Sequence, residues 1–148
     1  MILQVLKEMR QKCHALNSTT ENHVPSSIHV ADFLKSLRLA RAWMGKLAGI
    51  VGKENPYKKD GNRHSKEDIE PIVDVSATYL NITNLNQVER IDWLRQELNS
   101  LLSTFNTLSE GESASAIDAT TCLISIYQHL GEARFHLGFE LGRIRDEK

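Results

Sequence analysis

One pattern, written twice, constrains this chain more than any other feature. A-R-A-W-M-G-K-L-A-G from Ala40 to Gly49 and A-R-F-H-L-G-F-E-L-G from Ala133 to Gly142 carry Ala, Arg, Gly and Gly at the same four offsets. Both copies lie inside long stretches of helical periodicity, where glycine costs roughly 0.8–1 kcal/mol relative to alanine. Gly45, Gly49, Gly138 and Gly142 together cost on the order of 3–4 kcal/mol, a large share of the about 5–15 kcal/mol that stabilises a small domain. Something must offset that cost.

The surrounding periodicity predicts an all-α fold. Ile2, Leu6, Met9, Cys13 and Leu16 mark one face of a first helix, expected to end at the polar run N-S-T-T-E-N. Pro25-Ser26-Ser27 signals a new start. Val30, Phe33, Leu34, Leu37, Ala40, Met44, Leu47, Ala48 and Val51 then form a long apolar stripe that contains the first glycine pattern. Val88, Ile91, Arg95, Leu98, Leu102 and Phe105 mark a third helix, with Asn84 or Asn86 as its cap. A fourth runs from Ala116 to Arg145 on Leu123, Tyr127, Leu130, Ala133, Leu137, Leu141 and Ile144.

Aligning Arg41 with Arg134 also sets Val30 against Leu123, Leu34 against Tyr127, Leu37 against Leu130, Met44 against Leu137, Ala48 against Leu141 and Val51 against Ile144. The expected organisation is two helical hairpins, each a short helix followed by a long one, packed as an oligomeric helical bundle. Residues 1–52 make the first hairpin and residues 85–148 the second. Residues 53–84 make a long linker whose glycine, prolines and mixed charge cannot be helical throughout.

Charge is divided between the halves. Residues 1–66 hold 12 Lys or Arg against 5 Asp or Glu, and residues 67–148 hold 6 against 14. The basic half can attract an anionic ligand, or the halves can pair within or between copies. No apolar run approaches the about 18 residues of a membrane span, and the N-terminus lacks the marks of a signal peptide. A cytoplasmic protein with no membrane partner is expected, with Cys13 and Cys122 as buried thiols.

Catalysis is poorly supplied. The six histidines form neither H-E-x-x-H nor an i, i+4 pair, and no phosphate-cradling glycine loop is present. Glu67, Asp68 and Glu70 lie in the linker without a matching ExxE pair on a second helix. No cofactor, metal or enzymatic activity is expected. Nor is sequence-specific nucleic-acid binding, because the basic excess is spread out rather than concentrated on one recognition helix.

Two explanations of the glycines remain. Another helix crosses closely there, or a ligand lies against bare backbone while Arg41 and Arg134 grip a phosphate or carboxylate with their bidentate guanidinium forks. Trp43, Lys46, His136 and Arg143 surround Gly45 and Gly138 with an aromatic face, cations and donors, and Asn55 and Tyr57 follow in N-P-Y-K-K. Bases stack on aromatic rings, and phosphates are held by Arg and Lys.

The segments F-L-K-S-L-R-L-A-R-A-W-M-G-K-L-A-G-I-V-G-K-E-N-P-Y, I-E-P-I-V-D-V-S and I-Y-Q-H-L-G-E-A-R-F-H-L-G-F-E-L-G-R-I-R-D-E-K resemble the hairpin domain of small phage proteins that blunt the bacterial CBASS and Thoeris defences. The resemblance implies an oligomeric helical sponge that sequesters a cyclic nucleotide or a cyclic ADP-ribose isomer without cleaving it. It also implies roles for Arg41, Trp43 and Lys46 in the first copy and for Arg134, His136 and Arg143 in the second. Two motif helices in one chain and the long linker depart from the expected short protomer. The alternative is a non-catalytic helical protein-interaction module whose glycines are close crossings.

Overall fold

The computed structural model describes residues 2–52, 82–111 and 117–146. Among these residues the helices are α1 (Ile2–His23), α2 (Ile28–Gly52), α3 (Gln87–Gly111) and α4 (Ile117–Asp146), and no strand occurs. Helix α1 continues through the polar run expected to end it. Thr19 and Thr20 are fully buried, and Thr20 Oγ1 donates to the Leu16 carbonyl at 2.7 Å. Asn22 likewise donates to the Ser18 carbonyl, and Asn17 to Glu21. Side chains that favour loops are absorbed here by the helix's own acceptors and by one another.

The other helix ends follow their local signals. Ser27 caps α2, its Oγ accepting from the Val30 amide at 3.1 Å. Asn86 and Glu89 form a capping box at the start of α3: each side chain accepts from the other's amide at 2.9 Å. Arg90 fastens this start to α1. Its guanidinium donates to the carbonyls of Ile82, Thr83, Leu85 and His23, the last of these at the C-terminal end of α1.

Helix α2 packs most extensively against α4, with α1 on the outer side of α2 and α3 against α4; α1 and α3 touch only lightly. Neighbouring helices are antiparallel. Ser27 at the start of α2 meets Glu140 near the end of α4, and Lys12 on α1 meets Glu97 and Ser100 on α3. The two long motif helices thus pair within one chain and run in opposite directions.

One apolar core runs between them. Phe33, Leu37, Ala40, Met44 and Leu47 of α2 meet Cys122, Ile126, Leu130, Ala133, Leu137 and Leu141 of α4, with Leu6, Met9, Cys13 and Leu16 and with Ile91, Leu94, Leu98 and Leu101 closing the sides. Of the apolar residues expected in the core, Tyr127 and Val51 lie outside it. Tyr127 is 56% exposed and Val51 is exposed, because Ile126 takes the inward position beside Tyr127 and α2 is ending at Val51.

The aligned stripes differ most at Leu47, whose counterpart on α4 is Glu140. This carboxylate is fully buried. It is held by Arg143, which donates from Nε at 2.9 Å and from Nη2 at 2.7 Å, and by Ser27 Oγ at 2.8 Å. The Arg143 bonds hold its carboxyl below the usual range of about 4.5, with burial opposing and Ser27 assisting. One residue thereby joins the α2 cap to the last turn of α4.

Candidate binding groove

Those expected site residues that lie among the described ones are not gathered in one place. Antiparallel packing of α2 and α4 places the two glycine patterns on opposite sides of the middle of the bundle. Arg41 is half-buried and directed toward α1, where its charge acts on Cys13 and His14. Burial first, and Arg41 second, lower the His14 pKa; burial drives the Cys13 thiol up to about 12 against the opposing pull of Arg41. Trp43 packs against the core with Lys46 Nζ 4.9 Å from its ring centroid. Arg143 is engaged by Glu140, His136 is half-buried on α4, and Gly45 is buried. Asn55, Tyr57, the acidic cluster Glu67, Asp68 and Glu70, and the rest of residues 53–81 lie outside the described residues.

Arg134 has a different setting. It is exposed on α4 and lines an open groove of about 520 Å³ between α3 and α4, with Arg95 and Leu102 from α3 and Tyr127, Gly131, Phe135, Gly138 and Phe139 from α4. Arg95 Nη1 is 3.7 Å from Asp92, and its buried Nε has no acceptor among the described residues. Two guanidinium groups therefore share one groove, and one of them retains an unused donor.

The other walls are aromatic. Phe135 and Phe139 pack with centroids 5.0 Å apart, Tyr127 lies 5.9 Å from Phe105, and His29 of α2 lies 5.7 Å from Phe139. The glycines leave the floor bare: a Cβ added at Gly131, Gly138 or Gly142 would meet no heavy atom within 4 Å. None of the described helices crosses closely at Gly138 or Gly142, so among the described residues a close crossing does not account for the second pattern. A further hollow of about 500 Å³ continues past Phe139 to His29, Gly142, Arg143 and Asp146.

Sequence reasoning missed much of this groove. Arg95 and Tyr127 were read into core stripes, and Phe135, Phe139 and Gly131 were not singled out. A signal was present, since Phe135 and Phe139 lie on the face of α4 opposite Leu130, Leu137 and Ile144, where large aromatics are unexpected in an amphipathic helix. Among the described residues no group of His, Cys, Asp or Glu is arranged to hold a metal ion, and no helix is long and apolar enough to cross a membrane. Comparison with known protein families, curated proteins and solved structures yields no match.

Proposed function

We propose that this chain binds and sequesters a cyclic nucleotide or a cyclic ADP-ribose-type signal without cleaving it, as a phage protein would to blunt a CBASS or Thoeris defence. The observation that carries the reading is the pairing of Arg95 and Arg134 in one groove with exposed aromatic rings over a glycine floor. Guanidinium groups match phosphate oxygens in a fork, Tyr127 and Phe135 offer faces to a base, and bare backbone admits a flat ring closely. The resemblance carried by the repeated A-R-x-x-[ML]-G-x-x-x-G pattern supports the same reading. Arg134 now serves as its main anion anchor, while Arg41 serves the α1–α2 contact.

Titration calorimetry with cyclic di- and trinucleotides and cyclic ADP-ribose isomers tests the assignment. Arg134→Ala and Arg95→Ala each remove a charge-assisted contact of about 1.5–3 kcal/mol, so affinity should fall about 10- to 100-fold. Arg41→Ala should leave affinity within about twofold, because Arg41 faces α1. Equal losses for all three variants would put the site elsewhere.

The exposed stripe of α4 favours a second reading, a helical interaction module. Wild-type protein that ignores every nucleotide, yet loses a protein partner on Phe135→Ala, would establish it.

A further inference from the structure

The outward face of α4 is apolar where a solvated face should be polar. Phe135 is 68% exposed, Ile124 62% and Phe139 50%, and they alternate along the helix with Gly131, Gly138 and Gly142. From Ile124 to Asp146 the stripe runs about 33 Å. Among the described residues nothing reaches the glycines, so their helical cost finds no return from the described helices.

The order of residues along this face identifies an occupant. An antiparallel copy of α4, centred between His136 and Leu137, sets Phe135 of each chain against Gly138 of the other and Gly131 against Gly142. The large side chains thus fall on notches, and the pattern is its own complement under a two-fold rotation. The same register places Phe139 beside the second copy's Phe135. It also brings Glu132, which meets His129 of its own chain at 2.7 Å, within a turn of the second copy's Arg143, which Glu140 holds, so the register sets opposite rather than like charges near one another. Tyr127, Phe135 and Phe139 of two copies together expose roughly 700 Å², by their exposed fractions and the area of such rings. That is more than half of the about 1,200 Å² at which specific interfaces begin, before Ile124, the glycines and the flanking charged stems are added.

We infer that a second copy of this chain docks on α4, antiparallel and across a two-fold axis, with each Phe135 seated on the other chain's Gly138. In the dimer Phe135 and Gly138 belong to the interface, and the second α4 walls the part of the groove lined by Arg95, Leu102, Tyr127 and Arg134, which leaves Tyr127 as the ring that faces a base. Only this last consequence rests on the function proposed above; the dimer rests on the stripe alone.

Sedimentation equilibrium on the full chain from about 1 to 200 μM tests assembly. The wild type should pass from monomer at the dilute end of this range to dimer at the concentrated end, and Phe135→Glu and Gly138→Leu should each weaken the dimer at least about tenfold. Unchanged helical circular dichroism would show that both variants still fold. Register is tested with one introduced cysteine per chain, in a background with Cys13 and Cys122 replaced by alanine, under diamide. Gly131→Cys chains mixed with Gly142→Cys chains should cross-link, whereas either alone should not, because in this register like positions lie about 16 Å apart along the axis. A wild type that stays monomeric across this range, a Gly138→Leu variant that dimerises normally, or self-cross-linking of Gly131→Cys would overturn the inference. Nucleotide titration of the same samples separates the two claims: a monomer that binds ligand leaves the function standing, and a dimer that binds none leaves only the interface.

Discussion

Replacing Gly138 by alanine isolates what the glycine costs from what it permits. In the single chain a Cβ at this position meets no heavy atom within 4 Å, and the residue lies well inside α4. No contact is lost and no clash is created, so the change should return the helix-propensity difference of roughly 0.8–1 kcal/mol. For a chain of this size that is about 2–4 °C in Tm. Urea denaturation at about 1 μM, where self-association is suppressed, should show the gain as a higher midpoint at unchanged slope. Gly131→Ala and Gly142→Ala should behave alike, and the triple variant should gain about 2.5–3 kcal/mol if the sites are independent. At high concentration the same methyl groups should weaken assembly, since they fill the notches. A Gly138→Ala protein that is less stable in dilute solution would refute the reasoning, because something in the chain would then have to occupy the space beside Gly138.

Further expectations concern Glu140 and α1. Glu140→Ala should cost about 2–4 kcal/mol by stranding Ser27 and Arg143 and emptying the site, and Glu140→Leu, which strands the same donors but fills the space as Leu47 does on α2, should recover only part of that loss; urea midpoints compare them. Acid should destabilise the fold in two stages. His14 has a lowered pKa in the folded state, so its contribution is full above its ordinary 6.5 and declines as pH falls through and below that value. Glu140 is also lowered, so its contribution is full above 4.5 and is lost at more acid pH. Stability curves from pH 8 to 3 should lose the first step in His14→Phe and the second in Glu140→Leu. The Cys13 thiol, buried and raised to about 12, should react with iodoacetamide at pH 8 only as fast as the chain opens, so adding urea below the midpoint should accelerate labelling.

The helices were legible because their signals are local. Apolar spacing marked α2 and α4, Ser27 marked a start, and Asn86 was one of two residues named as the cap of α3. The end of α1 was misplaced because Thr19 and Thr20 look like loop residues until their burial against the bundle is known. The site was less legible. Arg41 and Arg134 occupy equivalent positions in the repeat, but α1 covers one while an open groove between α3 and α4 receives the other. That difference arises from packing, which a repeat compared with itself does not encode. Arg95 illustrates the same limit: its spacing fits the stripe of α3, and only the neighbouring α4 turns it into a lining residue.

We propose that the groove holds a nucleotide signal and returns it unchanged. Equilibrium dialysis of the purified protein against a panel of cyclic dinucleotides, cyclic trinucleotides and cyclic ADP-ribose isomers, followed by heat release and mass spectrometry of the bound fraction, tests it directly. At least one of these compounds should be retained by wild type, be recovered with its mass and retention time unaltered, and be lost from Arg134→Ala. Retention of none, or recovery of a hydrolysed product, would contradict it.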